Sequence, residues 1–558
     1  MAPPPRTEGL VETDTNEPNP HLHSTLQPQQ VEFKQADEMP DYLRLILTAR
    51  VYDIIKETPL QEAVNLNTKL SKKKGDQEEE EKVRIYLKRE DLQPVFSFKI
   101  RGAYNKLAHL TEEEKKAGVI ACSAGNHAQG VAMAAKHLGI KAKIVMPIPS
   151  PAIKWRNVQR LGAEVILSGN DFDEAKKECS RLMEEEKLTN IPPYDDPYVI
   201  AGQGTIGLEI LRQHDVNDIY AIYICVGGGG LVAGIASYVK RIAPHIKIIG
   251  CEASDANAMT QSYNTKQRVE LNEVGLFADG AAVRVVGEET FRVALPLIDE
   301  MVNVDNDEIC AAIKDVFEDT RSICEPTGAV SVAAIKKYIQ KKPETKTKGI
   351  HVAIISGANV NFDRLRFISD RAELGEQTEA FCNVIIPEKC GSFHKMIEQV
   401  LPRNITEFSY RYSCPDKAYI YISFKVNNLK QEVDQVLAKW KENGMEGWDV
   451  SNNELAKTHA RYMIGGKHAN VVNERVFRFI FPERPGALMK FLSGLHISWN
   501  VSLFHYRNHG DDMGKIFVGI QVPPEEYDQF DEFLDQLGYT YIEETDNVVY
   551  KTFLSSSS

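Results

Sequence analysis

Short runs rich in β-branched residues alternate with helical stretches along the middle of this chain, and this alternation constrains the fold more than any other feature. The runs are 119–121, 142–146, 164–167, 222–226, 246–249 and 352–355. Strands that alternate with helices are typical of an α/β domain with a largely parallel sheet. We therefore predict that fold class for the first two thirds of the chain.

Three of these runs lead directly into loops of small residues, at 122–127, 227–230 and 356–359. In open parallel sheets, ligands bind beyond the carboxyl ends of the strands. Loops that follow several strands can therefore converge on one crevice. We predict that the functional site lies where these three loops meet.

The ends and junctions of the folded parts follow from composition. A chain of 558 residues is too long for one hydrophobic core. Residues 1–40 are rich in Pro, Thr, Gln and Asn, which predicts a disordered tail. The nearly all-charged run 71–82 indicates a solvated loop, and the polar stretch 371–380 indicates a linker.

The C-terminal third contains an internal repeat. The segment 387–395 (PEKCGSFHK) matches 482–490 (PERPGALMK), and 404–411 (NITEFSYR) matches 500–507 (NVSLFHYR). One match could arise by chance, but two in nearly the same register indicate duplication. We predict two βα-type modules, at 381–455 and 475–555.

Charge and cysteine content exclude several classes of function. The net charge of −13 and the pI of about 5.7 disfavour binding to nucleic acid or anionic membranes. No apolar run is long enough for a membrane-spanning helix, so we expect a soluble protein. Nine cysteines without CxxC spacing fit neither a disulfide framework nor a zinc site. We therefore expect a reducing compartment and no metal.

Lys99 is the first candidate catalytic residue. It is flanked by Phe96, Phe98 and Ile100. An apolar setting lowers the pKa of an amine towards the neutral form that a Schiff base requires. The alternative is a lysine whose stem lies on an apolar surface while its amine reaches solvent. Local sequence alone favours that alternative.

The tetraglycine run Gly227, Gly228, Gly229 and Gly230 follows a buried strand and precedes a helical pattern from Leu231. Glycines there let backbone N–H groups approach a phosphate, and the helix N-terminus adds favourable partial charge. A flexible connection remains the alternative. Neither Rossmann spacing nor a Walker lysine is present, which disfavours dinucleotides and nucleoside triphosphates.

The loop formed by Ser123, Ala124, Gly125, Asn126 and His127 also joins a strand to a helical pattern. Its N–H groups suit a small carboxylate, and the Asn126 amide can bond a ring hydroxyl. Alternatively, Ser123 or Asn126 only caps the helix. His127 is interpreted as structural, without a catalytic role.

Taken in order, several motifs resemble the biosynthetic threonine dehydratase (threonine deaminase) family from about residue 41 to the C-terminus. They are 88–104, 123–130, 227–231, 277–280 with 286–291, 325–328 and 356–359. Two positions depart from the family pattern. Thr327 replaces an alanine, and Cys390 replaces a proline in the first repeat copy.

The resemblance implies a tryptophan-synthase-β-like catalytic region at 41–370, of pyridoxal-phosphate fold type II. Its two subdomains would hold pyridoxal 5'-phosphate between them, followed by two ACT-like αβ modules. Lys99 looks like the Schiff-base lysine, Asn126 like the partner of the cofactor phenolic oxygen, and Ser356 like the group facing the pyridine nitrogen. Phe98 would also contact the cofactor, Gly227 to Leu231 would bind its phosphate, and the amides of Ser123 to His127 would bind the substrate carboxylate.

The reaction implied by the resemblance is deamination of L-threonine to 2-oxobutanoate and ammonia, the first step of isoleucine biosynthesis, with Lys99 as general base. L-serine is an alternative substrate. A serine dehydratase or racemase would leave the duplicated module unexplained. A catalytically inactive amino-acid-binding regulator is disfavoured because Lys99 stands in its full motif.

Isoleucine is the effector implied for the duplicated half. Tyr410 with Arg411 and Tyr506 with Arg507 occupy matching repeat positions, and arginine can hold a carboxylate through two parallel hydrogen bonds. The alternative is that all four are structural strand residues. Cys390 leaves open a pathway-specific copy with weakened feedback. The family also implies a homotetramer in the mitochondrial matrix or a plastid, whereas an N-terminus that contains acidic residues leaves the cytoplasm open.

Overall fold

The computed structural model describes residues 29–31, 40–71, 82–150, 152–413, 415–453, 456, 471–482, 487–496, 498–507, 513–547, 550–551 and 554. The chain divides into two compact units, Met1–Phe362 and Asp363–Ser558. In these described ranges, no helix combines the length and apolar character that crossing a membrane requires.

The first unit alternates strands and helices, as the sequence predicts. Its strands are β1 (Gln29–Val31), β2 (Leu60–Glu62), β3 (Arg84–Arg89), β4 (Val119–Cys122), β5 (Ala142–Met146), β6 (Glu164–Leu167), β7 (Thr189–Asn190), β8 (Ile219–Cys225), β9 (Lys247–Ala253), β10 (Arg268–Glu270), β11 (Glu300–Val304) and β12 (Ile350–Ile355). Its helices are α1 (Tyr42–Leu47), α2 (Val64–Leu70), α3 (Lys99–Ala108), α4 (Glu112–Ala117), α5 (Asn126–Leu138), α6 (Ala152–Arg160), α7 (Phe172–Glu186), α8 (Pro197–Gln213), α9 (Gly230–Ile242), α10 (Ala258–Thr265), α11 (Glu288–Ala294), α12 (Asn306–Thr320) and α13 (Pro326–Lys341).

Two separate sheets organise this unit. The larger sheet has the order β11-β9-β8-β12-β3-β2 and is parallel except for β2, and the smaller sheet has the order β6-β5-β4-β7 and is parallel throughout. All six residues of β12 are buried, as expected for a central strand covered by helices on both faces. These two sheets are the two predicted subdomains.

The second unit contains two copies of a βαββαβ module. The first copy comprises β13 (Glu379–Pro387), α15 (Ser392–Val400), β14 (Ile405–Arg411), β15 (Lys417–Lys425), α16 (Leu429–Glu442) and β16 (Glu446–Asp449), preceded by α14 (Arg364–Gly375). The second comprises β17 (Glu474–Pro482), α17 (Ala487–Gly494), β18 (Asn500–Arg507), β19 (Met513–Gln521), α18 (Tyr527–Leu537) and β20 (Thr540–Glu543). The duplication predicted from the sequence is confirmed.

The two copies share one eight-stranded antiparallel sheet of order β16-β13-β15-β14-β18-β19-β17-β20. They join where β14 pairs with β18, and Ser409 lies opposite His505. These two residues also match in the repeat alignment, so an approximate two-fold axis passes between them. The Phe408 and Phe504 rings, 4.8 Å apart, contribute to a core continuous across the junction.

The structure corrects two predictions about segment boundaries. Residues 371–380 are not a linker, because α14 extends to Gly375, with Arg371 and Ala372 buried, and β13 begins at Glu379. The expected tail contains β1, which pairs antiparallel with β10. Most of the predicted charged loop, 72–81, lies outside the described residues.

Candidate active site

Lys99 is the first residue of α3, and its half-buried side chain lies among Phe98, Pro193 and Tyr194, a region called the crevice below. The Nζ donates to the carbonyl oxygen of Pro193 at 2.8 Å and lies 5.3 Å from the centre of the Phe98 ring. Burial lowers the pKa of this amine to about 8, although the charge of Glu325 opposes the shift. A substantial fraction is therefore neutral near pH 8, as a nucleophile or general base requires.

The loop before Lys99 is held against the loop after β12. The Phe98 N–H donates to the Ser356 carbonyl at 3.1 Å, and the Ala358 N–H donates to the Phe96 carbonyl at 2.9 Å. Ser97 forms an isolated bridge with Gly357 between these bonds. The structure thus places the loop that precedes Lys99 against the loop that contains Ser356.

Ser356 presents an unusual hydroxyl. Its side chain is buried, and Oγ has no hydrogen-bond partner among the described residues. A buried hydroxyl without a partner is costly unless a ligand supplies one. An aromatic ring nitrogen in the crevice would satisfy it.

The glycine loop links β8 to α9, which begins at Gly230. Gly229 has φ +96°, a conformation that favours glycine. A Cβ at Gly228 would lie 2.2 Å from the Tyr194 ring, so this loop packs directly against that residue. The backbone N–H groups at the start of a 13-residue helix make this loop a suitable phosphate cradle.

The loop from Ser123 to His127 links β4 to α5, and its residues up to Asn126 are half-buried. The Asn126 amide is fixed on both sides: Nδ2 donates to Glu325 Oε1 at 2.7 Å, and Oδ1 accepts from Asn359 Nδ2 at 2.7 Å. Its second amide proton is left for another acceptor. Asn126 therefore connects the loops that follow β4 and β12.

His127 occupies a structural position in this loop. Its Nε2 lies 2.8 Å from the Ile191 carbonyl oxygen. Burial, reinforced by the nearby Lys99 charge, lowers the pKa of the imidazole to about 3. The ring is neutral at physiological pH, which supports the interpretation of His127 as structural.

Two features of the site lie outside the sequence predictions. Glu325 is buried beside Asn126, and burial followed by the charge of Asp279 raises its carboxyl pKa to about 7. Residues 193–195 contact the lysine amine and the glycine loop. The available signals were the Glu-Pro-Thr-Gly motif and the turn-forming sequence Pro-Pro-Tyr-Asp-Asp at 192–196.

The four predicted effector residues lie on the neighbouring strands β14 and β18 of the second unit. Tyr410 is buried and donates to Glu388 Oε2 at 2.6 Å, and Tyr506 is also buried. Arg411 forms a buried ion pair with Glu474 at 2.5 Å and bonds the Leu554 carbonyl. The backbone of Arg507 lies opposite Glu407. The structure therefore brings the four positions near the two-fold axis, with the Arg411 guanidinium already engaged.

The described residues contain no group of His, Cys, Asp and Glu side chains placed to hold a metal ion. The crevice instead offers an amine, a glycine cradle and an unsatisfied hydroxyl. Residues 51–357 match the family model described as "Pyridoxal-phosphate dependent enzyme". The first unit is therefore a pyridoxal-phosphate-dependent catalytic unit, and its donor groups fit that cofactor.

Residues 370–460 and 465–554 each match the model described as "C-terminal regulatory domain of Threonine dehydratase". The chain is 56% identical over 544 residues to "Threonine dehydratase, mitochondrial" of Saccharomyces cerevisiae, covering 96% of this chain and 92% of that protein. It is 50% identical over 519 residues to "L-threonine dehydratase biosynthetic IlvA" of Burkholderia multivorans, and the match covers 92% of this chain and 99% of that protein. The chain belongs to the threonine dehydratase family.

A solved structure agrees with this assignment. The processed form of threonine deaminase isoform 2 from Solanum lycopersicum is 47% identical and superposes with a TM-score of 0.56. The superposed region covers 62% of the present chain and 97% of the tomato chain. The predicted fold class and cofactor are both confirmed.

Proposed function

We propose that this chain is a threonine dehydratase that converts L-threonine to 2-oxobutanoate and ammonia. One observation carries the assignment: the Lys99 amine, whose pKa burial lowers to about 8, lies beside the loop after β12, which Asn126 joins to the loop after β4, and beside Tyr194, which packs on the loop after β8. The close relatives and the regulatory modules favour threonine over serine as the preferred substrate.

The cofactor would be held by the groups described above. Lys99 Nζ would bind its aldehyde, Gly227 to Leu231 its phosphate, Asn126 its phenolic oxygen and Ser356 its ring nitrogen, with Phe98 beside the lysine. When bound, pyridoxal phosphate supplies an electron sink for the charge that develops at the substrate Cα. A hydroxyl at the ring nitrogen, unlike a carboxylate, does not hold a proton there, which favours elimination.

The residues of the chain provide the remaining steps. The N–H groups of 123–127 and the N-terminus of α5 bind the substrate carboxylate. Once the substrate amine takes the place of Lys99 at the aldehyde, the released Lys99 amine would remove the Cα proton, and the β-hydroxyl would leave as water after taking a proton. The resulting enamine tautomerises and takes up water, which gives 2-oxobutanoate and ammonia. The water molecule released when the β-hydroxyl leaves is balanced by the one consumed in the final hydrolysis.

Lys99→Arg tests this proposal, because it keeps the positive charge and removes the nucleophilic amine. We expect turnover of threonine to fall by at least about 1000-fold with little change in thermal stability. Borohydride reduction of the parent followed by mass spectrometry should place the cofactor on the peptide that contains Lys99. An adduct on Lys106, the other lysine of α3, would contradict the assignment.

We also propose that isoleucine binds the second unit and lowers threonine turnover. The two matches to a regulatory domain support an effector site there, and Tyr410, Arg411, Tyr506 and Arg507 line up beside the two-fold axis. Because Glu474 already engages Arg411, an effector carboxylate at Arg411 has to displace Glu474. Arg411 paired with Glu474 and Arg411 paired with the effector would be two distinct states of the second unit, and regulation requires two such states.

Glu474→Gln tests this arrangement, because it removes the carboxylate that pairs with Arg411 and keeps the guanidinium. We expect isoleucine to inhibit this variant at concentrations about tenfold lower than the parent. Arg411→Lys is the matched control and should weaken inhibition. Identical inhibition curves for the parent and both variants would exclude Arg411 as an effector contact, whereas an uninhibited parent would indicate a pathway-specific copy.

Relatives named mitochondrial in yeasts and chloroplastic in plants support an organellar location, and we propose the mitochondrial matrix or a plastid. We further propose that the protein assembles as a homotetramer. Microscopy of a C-terminal fluorescent fusion tests the first proposal, and cytoplasmic fluorescence would contradict it. Native mass spectrometry tests the second.

A further inference from the structure

Helix α11 and the residues that hold it lie directly against the glycine loop. We propose that Thr290 and Asp195 are positioning residues that aim a backbone N–H of this loop at the cofactor phosphate. The inference rests on the proposed place of that phosphate, and the experiment below separates the two.

The carbonyl group of Gly228 is the point of contact. It accepts a hydrogen bond from Thr290 Oγ1 at 2.6 Å and another from the Gly287 N–H at 3.0 Å. Thr290 is fully buried, so its hydroxyl does not exchange this partner for water. Two donors on one carbonyl fix the orientation of the Gly228–Gly229 peptide plane.

That orientation determines where the next donor points. The Gly228–Gly229 bond is trans, since cis bonds in the described residues are confined to Leu401–Pro402. In a trans peptide, the C=O and the following N–H point in opposite directions. Because the carbonyl faces α11, the Gly229 N–H faces away from α11. A backbone with the freedom of four glycines would otherwise sample several orientations.

Asp195 holds the donors in place. Its carboxylate accepts from the backbone N–H groups of Glu288, Glu289 and Thr290 at 3.0, 2.9 and 3.1 Å. These are the first N–H groups of α11, which have no partners within the helix. Asp195 therefore fixes the turn that contains both donors to Gly228.

Residues 193–195 also contact the end of the site that contains Lys99. Pro193 accepts from the Lys99 amine, and Tyr194 packs its ring against Gly228. Residues 193–195 thus set the separation between the amine that binds the cofactor aldehyde and the loop that binds its phosphate. A change at Asp195 or Thr290 should affect phosphate binding and leave the aldehyde end intact.

The ratio of the affinities for pyridoxal phosphate and for pyridoxal isolates the contribution of the phosphate. We expect Thr290→Val to lower this ratio about tenfold in fluorescence titrations of the cofactor-depleted full-length protein, while the affinity for pyridoxal is unchanged. Thr290→Ser keeps the hydroxyl and should restore the ratio. Asp195→Asn, which replaces one of the two oxygens that accept from these three N–H groups by an NH2 donor, should also lower it.

Asp196→Asn is the matched control. Asp196 is adjacent in sequence, caps α8 through Tyr198 and Val199, and pairs with Lys106 at 2.7 Å. Its replacement should reduce thermal stability and leave the affinity ratio unchanged. An equal loss in the Asp196 and Asp195 variants would mean that only general destabilisation is measured, which would overturn the inference.

Hydrogen exchange separates this inference from the proposed cofactor placement. In the parent, pyridoxal phosphate should slow exchange of the amides at 227–231. Absence of that protection would refute the placement of the phosphate. If protection is present and Thr290→Val leaves the affinity ratio unchanged, the placement stands and the positioning role of Thr290 is refuted.

Discussion

Lys88→Met is expected to destabilise the catalytic unit strongly although Lys88 does not belong to the crevice. Lys88 and Arg101 are fully buried with Glu90 and Glu209, so two positive charges balance two negative charges. Lys88 Nζ bonds Glu209 Oε2 at 2.6 Å, Gln213 Oε1 at 3.0 Å and the Thr58 carbonyl. Removing the lysine leaves a net buried negative charge.

The size of the effect follows from this geometry. Removing one partner of a buried ion pair costs about 3–5 kcal/mol. An unfolding entropy of about 2.1 cal/mol/K per residue gives about 0.7 kcal/mol per kelvin for a unit of this size, so the melting temperature should fall by about 4–7 °C. Scanning calorimetry of the holoenzyme measures this shift.

Two further variants make the prediction specific. Lys342→Met removes a partly exposed pair with Glu300 and should lower the melting temperature by less than about 1.5 °C. Combining Lys88→Met with Glu209→Gln leaves Arg101 paired with Glu90 and should recover at least half of the loss. Equal shifts for Lys88→Met and Lys342→Met would refute the reasoning.

Two other predictions concern single side chains. Ser356→Ala should weaken pyridoxal phosphate binding about fivefold in equilibrium titration, because the one ring-nitrogen partner is lost; unchanged affinity would mean that Ser356 does not face the ring. Burial lowers the pKa of His351 to about 4, so between pH 6.5 and 4 the unfolded chain binds a proton that the folded chain excludes, and stability falls as the pH falls. His351→Gln should make urea stability less dependent on pH across that window, by up to about 3 kcal/mol, and parallel profiles would contradict this assignment.

Much of the fold could be predicted from the sequence because the central strands are apolar and end in small residues. The strand β3 was missed for the opposite reason. It contains Lys88, whose charge is buried beside that of Glu209, 121 residues away in sequence. No local pattern reveals such partners.

The residues of the candidate site also fall into two groups: those that belong to short sequence motifs and those whose roles depend on contacts between distant segments. Lys99, Ser356 and the glycine loop lie in short motifs that carry the family resemblance, and their predicted roles rest on that resemblance. The role of Glu325 depends on Asn126, which is 199 residues away in sequence. The pairing of Arg411 with Glu474 likewise depends on a contact between the two module copies. Such roles require the three-dimensional contacts.

The junction between β14 and β18 limits how the second unit can transmit a signal. Side chains alternate between the two faces of a strand, so sliding one copy by one residue would turn the buried face outward and the outer face inward. Phe408 and Phe504, which pack together in the core beneath the junction, would both be displaced. Relative translation of the copies along the strands is therefore unfavourable. Changes in twist or bending about the shared axis preserve the pairing, so an effector should act by rotating the two halves of this sheet.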